Sequence, residues 1–211
     1  YGDFVMQTDA VVGKILAALD EHGLAANTLV IFTADNGCSP QAGTPALEKQ
    51  GHFASAEFRG YKADIWEGGH RVPFLARWPD KIKSASTSAQ LICHVDLLAT
   101  CAEILNAQLP ATAAEDSISF LPLLRGDKPA TTARTTLVAH SAEGRFSIRD
   151  GRWKLLCEYD GSRAELYDLE SDPAESRDRA ADFPAEVARL RGALLDWHRQ
   201  MPPDLGAAYR P

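Results

Sequence analysis

The spacing of apolar residues predicts an amphipathic helix followed closely by a buried strand. Over residues 3–22 apolar side chains recur near helical spacing, and Gly23 stands where a helix C-terminal cap is expected. Residues 28–34 then form an apolar run, Thr-Leu-Val-Ile-Phe-Thr-Ala, of the length of one buried strand. A helix, a short turn and a strand in this order make up half of a doubly wound α/β unit.

The middle of the chain predicts a further strand and a further helix. Residues 72–78 are mostly apolar, and Pro73 places them at the start or the edge of a sheet. Residues 94–106 repeat apolar side chains at helical spacing, and Asp96 near their start suits the positive end of a helix dipole. These elements continue the α/β pattern of the first segment.

The composition changes near residue 109, where a connection rich in Pro, Ala and Thr begins, and from about residue 130 the pattern is that of a small α+β subdomain. Three strands are predicted, and Asp150-Gly151 between the last two is the signal of a β-hairpin with a type I′ turn. A closing helix is predicted at residues 183–200, and we interpret its apolar stripe as core packing. The strands comprise residues 136–140, 145–149 and 152–157, and the stripe comprises Phe183, Val187, Leu190, Leu194 and Trp197.

Polar side chains directly follow the first predicted strand. Asp35 and Asn36 come immediately after it and precede Gly37. Ligands of open α/β sheets bind beyond the carboxyl ends of the strands, and a carboxylate next to an amide offers the hard oxygen ligands that Ca²⁺ and Mg²⁺ prefer. An Asp-Asn-Gly sequence also suits a simple turn after a strand. The residues by themselves leave the metal site and the turn as alternatives.

A glycine-rich segment that carries a lysine follows. Residues 59–83 contain Lys62 and the pair Gly68-Gly69, which we expect to permit unusual backbone angles beside a site. These residues carry six basic and three acidic side chains, a net charge of +3, whereas residues 158–186 carry ten acidic and three basic side chains, a net charge of −7. The positive stretch would attract an anionic ligand. A single lysine is otherwise most often a solvated surface residue.

Length, charge and cysteine usage exclude several classes of protein. The chain has 211 residues, of which 45% are hydrophobic, so it can bury a substantial core. It has no apolar run near the ~18 residues that a membrane span needs, and its net charge of −7 argues against a general nucleic-acid binder. The four cysteines include no Cys-x-x-Cys pair, so we expect free or buried thiols. They are Cys38, Cys93, Cys101 and Cys157.

Several motifs, taken in order, resemble those of the type I sulfatases. Asn-Thr-Leu-Val-Ile-Phe-Thr-Ala-Asp-Asn-Gly at residues 27–37 resembles the metal-binding strand end of that family. Lys-Ala-Asp-Ile-Trp-Glu-Gly-Gly-His-Arg-Val-Pro-Phe at residues 62–74 resembles its sulfate-binding lysine segment. Ile-Arg-Asp-Gly-Arg-Trp-Lys-Leu at residues 148–155 and Leu-Tyr-Asp-Leu-Glu-Ser-Asp-Pro-Ala-Glu at residues 166–175 also agree. The resemblance covers almost the whole chain.

The resemblance implies an α/β fold of the alkaline-phosphatase-like class and a bound Ca²⁺, with Mg²⁺ as the alternative. It also implies a formylglycine nucleophile, made by oxidation of a cysteine or serine. By motif, Asp35 and Asn36 would be metal ligands and Lys62 would contact the sulfate. Residues 1–129 would be the carboxyl-terminal part of the catalytic α/β domain. Residues 130–211 would form a small α+β carboxyl-terminal subdomain with an antiparallel hairpin sheet and a helix.

The nucleophile motif of the family, Cys-x-Pro-x-Arg, has no match in this chain. Cys38-Ser39-Pro40-Gln41-Ala42 has the Cys-x-Pro part, but Ala42 stands where the arginine is expected, and the segment follows the metal motif instead of preceding it. The amino terminus has neither a methionine nor the pattern of a signal peptide. We therefore expect the chain to be the carboxyl-terminal half of a sulfatase, with the nucleophile in a missing amino-terminal half.

Further side chains near the motifs each have two interpretations. His52 and His70 flank Lys62 and are candidates to donate hydrogen bonds to an anionic sugar. His140, at the end of a predicted strand, is a candidate to line the mouth of the substrate site. Each is otherwise an ordinary polar loop histidine. Arg71 is expected to be a structural ion-pair partner more than a substrate ligand.

By resemblance, the parent protein is a sulfuric ester hydrolase that removes sulfate from a sulfated carbohydrate or an aryl sulfate, and the chain alone is expected to be inactive. The alternatives are a phosphomonoesterase or phosphodiesterase of the same superfamily, or a non-catalytic fragment that binds sulfated glycans. The expected partners are the substrate and the missing half of the domain, without nucleic acid, and the expected location is periplasmic or secreted. Because a central strand would lack its neighbours, we also expect the isolated 211 residues to aggregate.

Overall fold

The computed structural model describes residues 1–127 and 134–201. These residues form two compact units. Unit 1 comprises residues 1–33 and the described part of 73–134, and unit 2 comprises residues 34–72 and the described residues from 135 onward. The domain boundary predicted between residues 129 and 130 lies outside the described residues.

The helices are α1 (Gly2–Glu21), α2 (Thr44–Glu48), α3 (Glu67–His70), α4 (Asp96–Leu105), α5 (Leu121–Arg125) and α6 (Pro184–Gln200). The strands are β1 (Val30–Thr33), β2 (Phe74–Arg77), β3 (Thr136–His140), β4 (Phe146–Asp150), β5 (Trp153–Cys157) and β6 (Glu165–Asp168).

Most elements expected from the periodicity are present. The predicted helices at the two ends of the chain and in its middle are confirmed as α1, α6 and α4. In unit 1, β1 and β2 pair antiparallel, with Val30 opposite Arg77. In unit 2, the three predicted strands are confirmed, and β6 joins them in an antiparallel sheet of order β3-β4-β5-β6. The chain therefore combines α/β elements with a separate antiparallel sheet.

The hairpin between β4 and β5 closes with a different turn from the one expected. Asp150 pairs with Trp153, so the two loop residues are Gly151 and Arg152. Gly151 has a φ of 57°, whereas Arg152 is not among the described residues with positive φ. A positive φ at the first loop residue alone, on a glycine, is the pattern of a type II′ turn. The predicted hairpin is confirmed, but the predicted type I′ turn is wrong.

The core of unit 2 lies between the four-stranded sheet and α6. Leu155 and Leu166 on the strands and Leu190 and Leu194 on the helix are fully buried in one cluster. The interpretation of the helical stripe as core packing is therefore confirmed. Because strand side chains alternate between faces, Leu156 points to the other face of the sheet. That face carries a second cluster, which consists of Ile65, Leu156, Tyr167 and Leu169.

Unit 1 leaves much of its apolar surface exposed. No residue of α1 is buried, and Phe4 and Met6 are 73% and 72% exposed. Leu75 on β2 is 60% exposed. A helix with one apolar face normally packs that face against another element. Within residues 1–127 and 134–201, no helix combines the length and the apolar character needed to cross a membrane.

The cysteines are free thiols, as expected. Cys101 is exposed on α4, whereas Cys157 is fully buried on β5. Burial raises the pKa of the Cys157 thiol to about 11. Because the thiolate is the reactive form, this buried thiol is a structural part of the sheet core.

Candidate functional site

Two loops of unit 2 lie side by side. The N–H of Gly37 donates to the carbonyl of Gly69 at 3.0 Å, and the N–H of Lys62 donates to the carbonyl of Cys38 at 2.8 Å. The loop with the predicted metal ligands is thus held against the segment with the predicted sulfate-binding lysine. We call these two stretches the DNG loop (residues 34–38) and the lysine segment (residues 59–71).

The backbones of these loops pack so closely that only glycine fits at three positions. A Cβ atom on Gly37 would lie 1.7 Å from the carbonyl oxygen of Gly68. A Cβ atom on Gly68 would lie 2.3 Å from the carbonyl oxygen of Gly60, and one on Gly69 would lie 2.5 Å from that of Asp64. Gly68 and Gly69 lack a positive φ, so the expectation of unusual backbone angles at this pair is wrong. The pair permits close backbone approach instead.

Lys62 stands at the tip of a tight turn. The N–H of Tyr61 donates to the Asp64 carboxylate at 2.8 Å, and the N–H of Asp64 donates back to the carbonyl of Tyr61 at 3.0 Å. Ala63 has a positive φ of 81°, and its carbonyl accepts a hydrogen bond from the N–H of Ala142 at 3.0 Å. The turn after β3 therefore supports the lysine turn from one side. The side chain of Lys62 itself is exposed.

Asp35 and Asn36 offer two oxygen donors to a cation. Asp35 is exposed, and the amide nitrogen of Asn36 donates to the carbonyl of Gly37 at 3.0 Å, which assigns Oδ1 of Asn36 as the acceptor end. A Ca²⁺ ion takes about six to eight oxygen ligands. Within residues 1–127 and 134–201, no group of three or more His, Cys, Asp or Glu side chains could hold a metal ion. The two oxygen atoms are of the kind that a hard cation prefers.

The three candidate histidines occupy different loops and strand ends. His70 ends α3 with a side chain at the surface. Desolvation by surrounding protein atoms, followed by the charge of Lys154, lowers the pKa of His70. His140 ends β3, and its charge contributes to the lowered pKa of His70. His52 is exposed in the loop after α2, where its N–H donates to the carbonyl of Leu47 at 3.0 Å.

Two other side chains of these loops have structural contacts. Nε of Arg71 donates to the Glu67 carboxylate at 2.9 Å, and the Arg71 guanidinium lies over the Phe58 ring, 4.6 Å from its centroid. The expectation that Arg71 is an ion-pair partner is confirmed. Sγ of Cys38 lies 3.0 Å from the hydroxyl oxygen of Ser55. These contacts join the lysine segment and the DNG loop to the polypeptide between them.

The sequence matches two family models. The model described as Sulfatase matches residues 1–107, which is half of the chain. The chain belongs to the sulfatase family. A second model, described as N-sulphoglucosamine sulphohydrolase, C-terminal, matches residues 61–194 of this sulfatase chain. Together the two matches include the DNG loop, the lysine segment and the four-stranded sheet.

Curated relatives and solved structures agree with this assignment. The chain is 34% identical over 212 residues to an N-acetylgalactosamine-6-O-sulfatase of Bacteroides thetaiotaomicron, a match that covers 92% of the chain and 41% of the relative. It is 36% identical over 179 residues to arylsulfatase A of Homo sapiens, with 82% of the chain and 33% of the relative covered. A solved Bacteroides thetaiotaomicron structure, from work on the metabolism of multiple glycosaminoglycans, superimposes with a TM-score of 0.84 at 30% identity. This superposition covers 94% of the chain and 44% of that structure.

The comparisons confirm the expected fold class. The chain has the α/β fold of the alkaline-phosphatase-like sulfatases, with the small antiparallel sheet of their carboxyl-terminal subdomain. It spans 41% and 33% of the lengths of the two curated relatives. The sulfatase family in general depends on calcium and on a formylglycine nucleophile.

Proposed function

We propose that this chain is part of a sulfuric ester hydrolase that removes sulfate from a sulfated carbohydrate, with an aryl sulfate as the alternative substrate. One observation carries the proposal. The backbone hydrogen bonds from Gly37 to Gly69 and from Lys62 to Cys38 hold the loop that carries Asp35 and Asn36 against the segment that carries Lys62. A cation and an ammonium group in one site are suited to an anionic ester.

Asp35 and Asn36 would hold the metal ion, Ca²⁺ by preference and Mg²⁺ as the alternative, because both supply hard oxygen atoms. A bound divalent cation polarises sulfate oxygens as a Lewis acid. The hydrogen bond from the amide nitrogen of Asn36 to the carbonyl of Gly37 supports this role, since it engages the donor and leaves the amide oxygen as the group that can bind a cation. The remaining metal ligands would come from a polypeptide segment outside these 211 residues.

Lys62 would donate to a sulfate oxygen and stabilise the negative charge that develops on the leaving oxygen. The turn closed by Tyr61 and Asp64 limits where its backbone can move. A fixed ammonium group stabilises developing charge best where water is excluded and no rearrangement is needed during the reaction. In the assembled site, the bound substrate would supply this exclusion by covering the exposed side chain.

A sugar is the preferred substrate because polar side chains lie in the lysine segment and in the turn that is hydrogen-bonded to it. His70 belongs to the lysine segment, and His140 lies two residues before Ala142, whose N–H donates to Ala63 of that segment. Neutral imidazoles donate and accept hydrogen bonds with hydroxyl groups. The lowered pKa of His70 favours its neutral form. His52 stays a predicted substrate ligand. The relative named for N-acetylgalactosamine 6-O-sulfate supports an amino sugar as the first compound to test.

A further polypeptide segment would complete the site. The apolar face of α1 would pack against it, which would explain why Phe4, Val11 and Ile15 on that face are exposed. We propose that the segment carries the formylglycine nucleophile and the other metal ligands, and that residues 1–129 belong with it to the catalytic domain. Residues 130–211 would then form the substrate-shaping subdomain, and the location would be periplasmic or secreted.

Peptide mapping of the natural protein by mass spectrometry tests this proposal. We expect one Cys or Ser converted to formylglycine at a position outside these 211 residues, because the local Cys-x-Pro segment lacks the arginine of the nucleophile motif. The peptide that contains Cys38 is the internal control and should carry an unmodified cysteine. Formylglycine at Cys38 would overturn the assignment of the nucleophile, and its absence from every Cys and Ser would favour a phosphatase of the same fold.

A further inference from the structure

A cluster of buried charges underlies the lysine segment. Lys154 on β5 is 2% exposed, Glu67 at the start of α3 is 6% exposed, and Glu175 after β6 is fully buried. Nζ of Lys154 lies 3.0 Å from a carboxylate oxygen of Glu67 and 2.8 Å from one of Glu175. One ammonium group therefore joins two carboxylates that come from distant parts of the sequence.

The same residues also make hydrogen bonds to the lysine segment, two to its backbone after Lys62 and one to the side chain of Arg59 before it. Nζ of Lys154 donates to the carbonyl of Ile65 at 3.0 Å, and the Glu175 carboxylate accepts from the N–H of Glu67 at 2.6 Å. The Glu175 carbonyl accepts from the guanidinium of Arg59 at 3.1 Å. These contacts lie on both sides of Lys62 in the sequence. They tie the segment to the four-stranded sheet while leaving the Lys62 side chain exposed.

The two carboxylates of this cluster have pKa values that are shifted in opposite directions. Burial by itself would raise the pKa of Glu67, but Lys154 and then Arg71 outweigh burial and lower it. Burial raises the pKa of Glu175 in spite of Lys154. Buried ion pairs of this kind are often no more stabilising than apolar side chains of similar volume. Their value here lies in directional contacts to fixed backbone atoms, which apolar side chains cannot make.

We propose that Lys154 and Glu175 are positioning residues that hold the lysine segment so that the ammonium group of Lys62 meets the sulfate of the substrate. The inference rests on the proposed function for its chemical consequence, and on the contacts above for its structural part. Lys154 and Glu175 are buried, so their effect on the substrate would be indirect. They act through the backbone of Ile65 and Glu67, and the positions of these two residues determine where the turn that carries Lys62 lies.

The test compares Lys154→Met with wild type in the natural protein, with two readouts. Hydrogen exchange followed by mass spectrometry should show at least ~10-fold faster exchange in peptides that cover residues 59–71. Without the contacts of Lys154, local opening of this segment costs less free energy. The kcat/KM for sulfate release should fall about 100-fold, mainly through kcat, because misplacement of a catalytic group by about 1 Å has such an effect. Peptides that cover α6 should exchange at the wild-type rate.

Two further variants separate positioning from general loss of stability. Leu190→Ala removes a fully buried side chain of the α6 core that is not part of the charge cluster. The Leu190→Ala variant should have a lower melting temperature and faster hydrogen exchange in α6, while its kcat/KM should equal that of the wild type. Glu175→Gln retains an oxygen that can accept the Glu67 N–H, so it should impair turnover less than Glu175→Ala. This pair carries the test if Lys154→Met does not fold.

The two readouts keep the inference and the proposed function apart. If the wild-type natural protein releases no sulfate, the proposed function fails, and the exchange data alone decide whether the cluster holds the segment. Wild-type exchange over residues 59–71 in both Lys154→Met and Glu175→Ala would overturn the inference. An equal loss of kcat/KM in Leu190→Ala, at matched melting temperature, would overturn it as well.

Discussion

Replacement of Lys62 by methionine is expected to lower kcat/KM for sulfate release by about 100- to 1,000-fold, the loss typical of one preorganised group that stabilises charge in the transition state. Methionine keeps much of the length of the side chain and removes its charge. Because the Lys62 side chain is exposed and its backbone N–H, not its ammonium group, donates to Cys38, the fold should be unaffected. Steady-state kinetics of the natural protein and its variant measure the effect.

Lys49→Met is the matched control for this prediction. Lys49 is also an exposed lysine of unit 2, but it lies directly after α2 and outside the lysine segment. Its replacement removes the same charge from the same unit, so it should leave kcat/KM within about twofold if long-range electrostatics are screened. Equal losses in the two variants would mean that net charge, and not the position of Lys62, determines the rate.

Replacement of Gly37 by alanine is expected to destabilise unit 2 by about 3 kcal/mol or more, at the upper end of the usual cost of overpacking. The added methyl group would lie 1.7 Å from the carbonyl oxygen of Gly68, and that oxygen belongs to backbone that cannot rotate away. Relief of the clash must separate the DNG loop from the lysine segment. Urea denaturation measures the free energy of unfolding, and the variant should also lose activity when still folded.

Gly192→Ala is the control for the substitution itself. A Cβ atom on Gly192 of α6 would have nothing within 4 Å. Alanine in the interior of a helix is about 0.5–1 kcal/mol more favourable than glycine, so this variant should be slightly more stable than wild type. If Gly37→Ala is as stable as Gly192→Ala, the close approach of the two loops in the structure is incorrect.

The elements that depend on local periodicity could be predicted from the sequence. The stripe from Phe183 to Trp197 specifies a helix with one buried face, and α6 packs that face on the sheet. The hairpin could also be predicted from the sequence, but the type of its turn could not. The turn type depends on which residues pair, and the register of Asp150 with Trp153 shifts the loop by one residue.

The contacts between distant segments could not be predicted. Lys154 stands in a strand between Trp153 and Leu155, where alternation predicts a solvent-facing lysine. It is buried because Glu67 and Glu175 cover that face of the sheet, and nothing in the local sequence around Lys154 specifies them. In the same way, a Gly-Gly pair is compatible with unusual angles and with close packing alike. Only the close approach of Gly68 to Gly60 and of Gly69 to Asp64, without a positive φ at either glycine, decides between the two.

The most direct test of the account is the release of inorganic sulfate by the natural protein, followed by ion chromatography. N-acetylgalactosamine 6-sulfate is the first substrate, with the corresponding 6-phosphate beside it, each before and after removal of calcium by a chelator. We expect sulfate release that the chelator abolishes and added Ca²⁺ restores, with much slower release of phosphate. Faster release of phosphate, or sugar binding without any turnover across sulfated sugars and aryl sulfates, would contradict it.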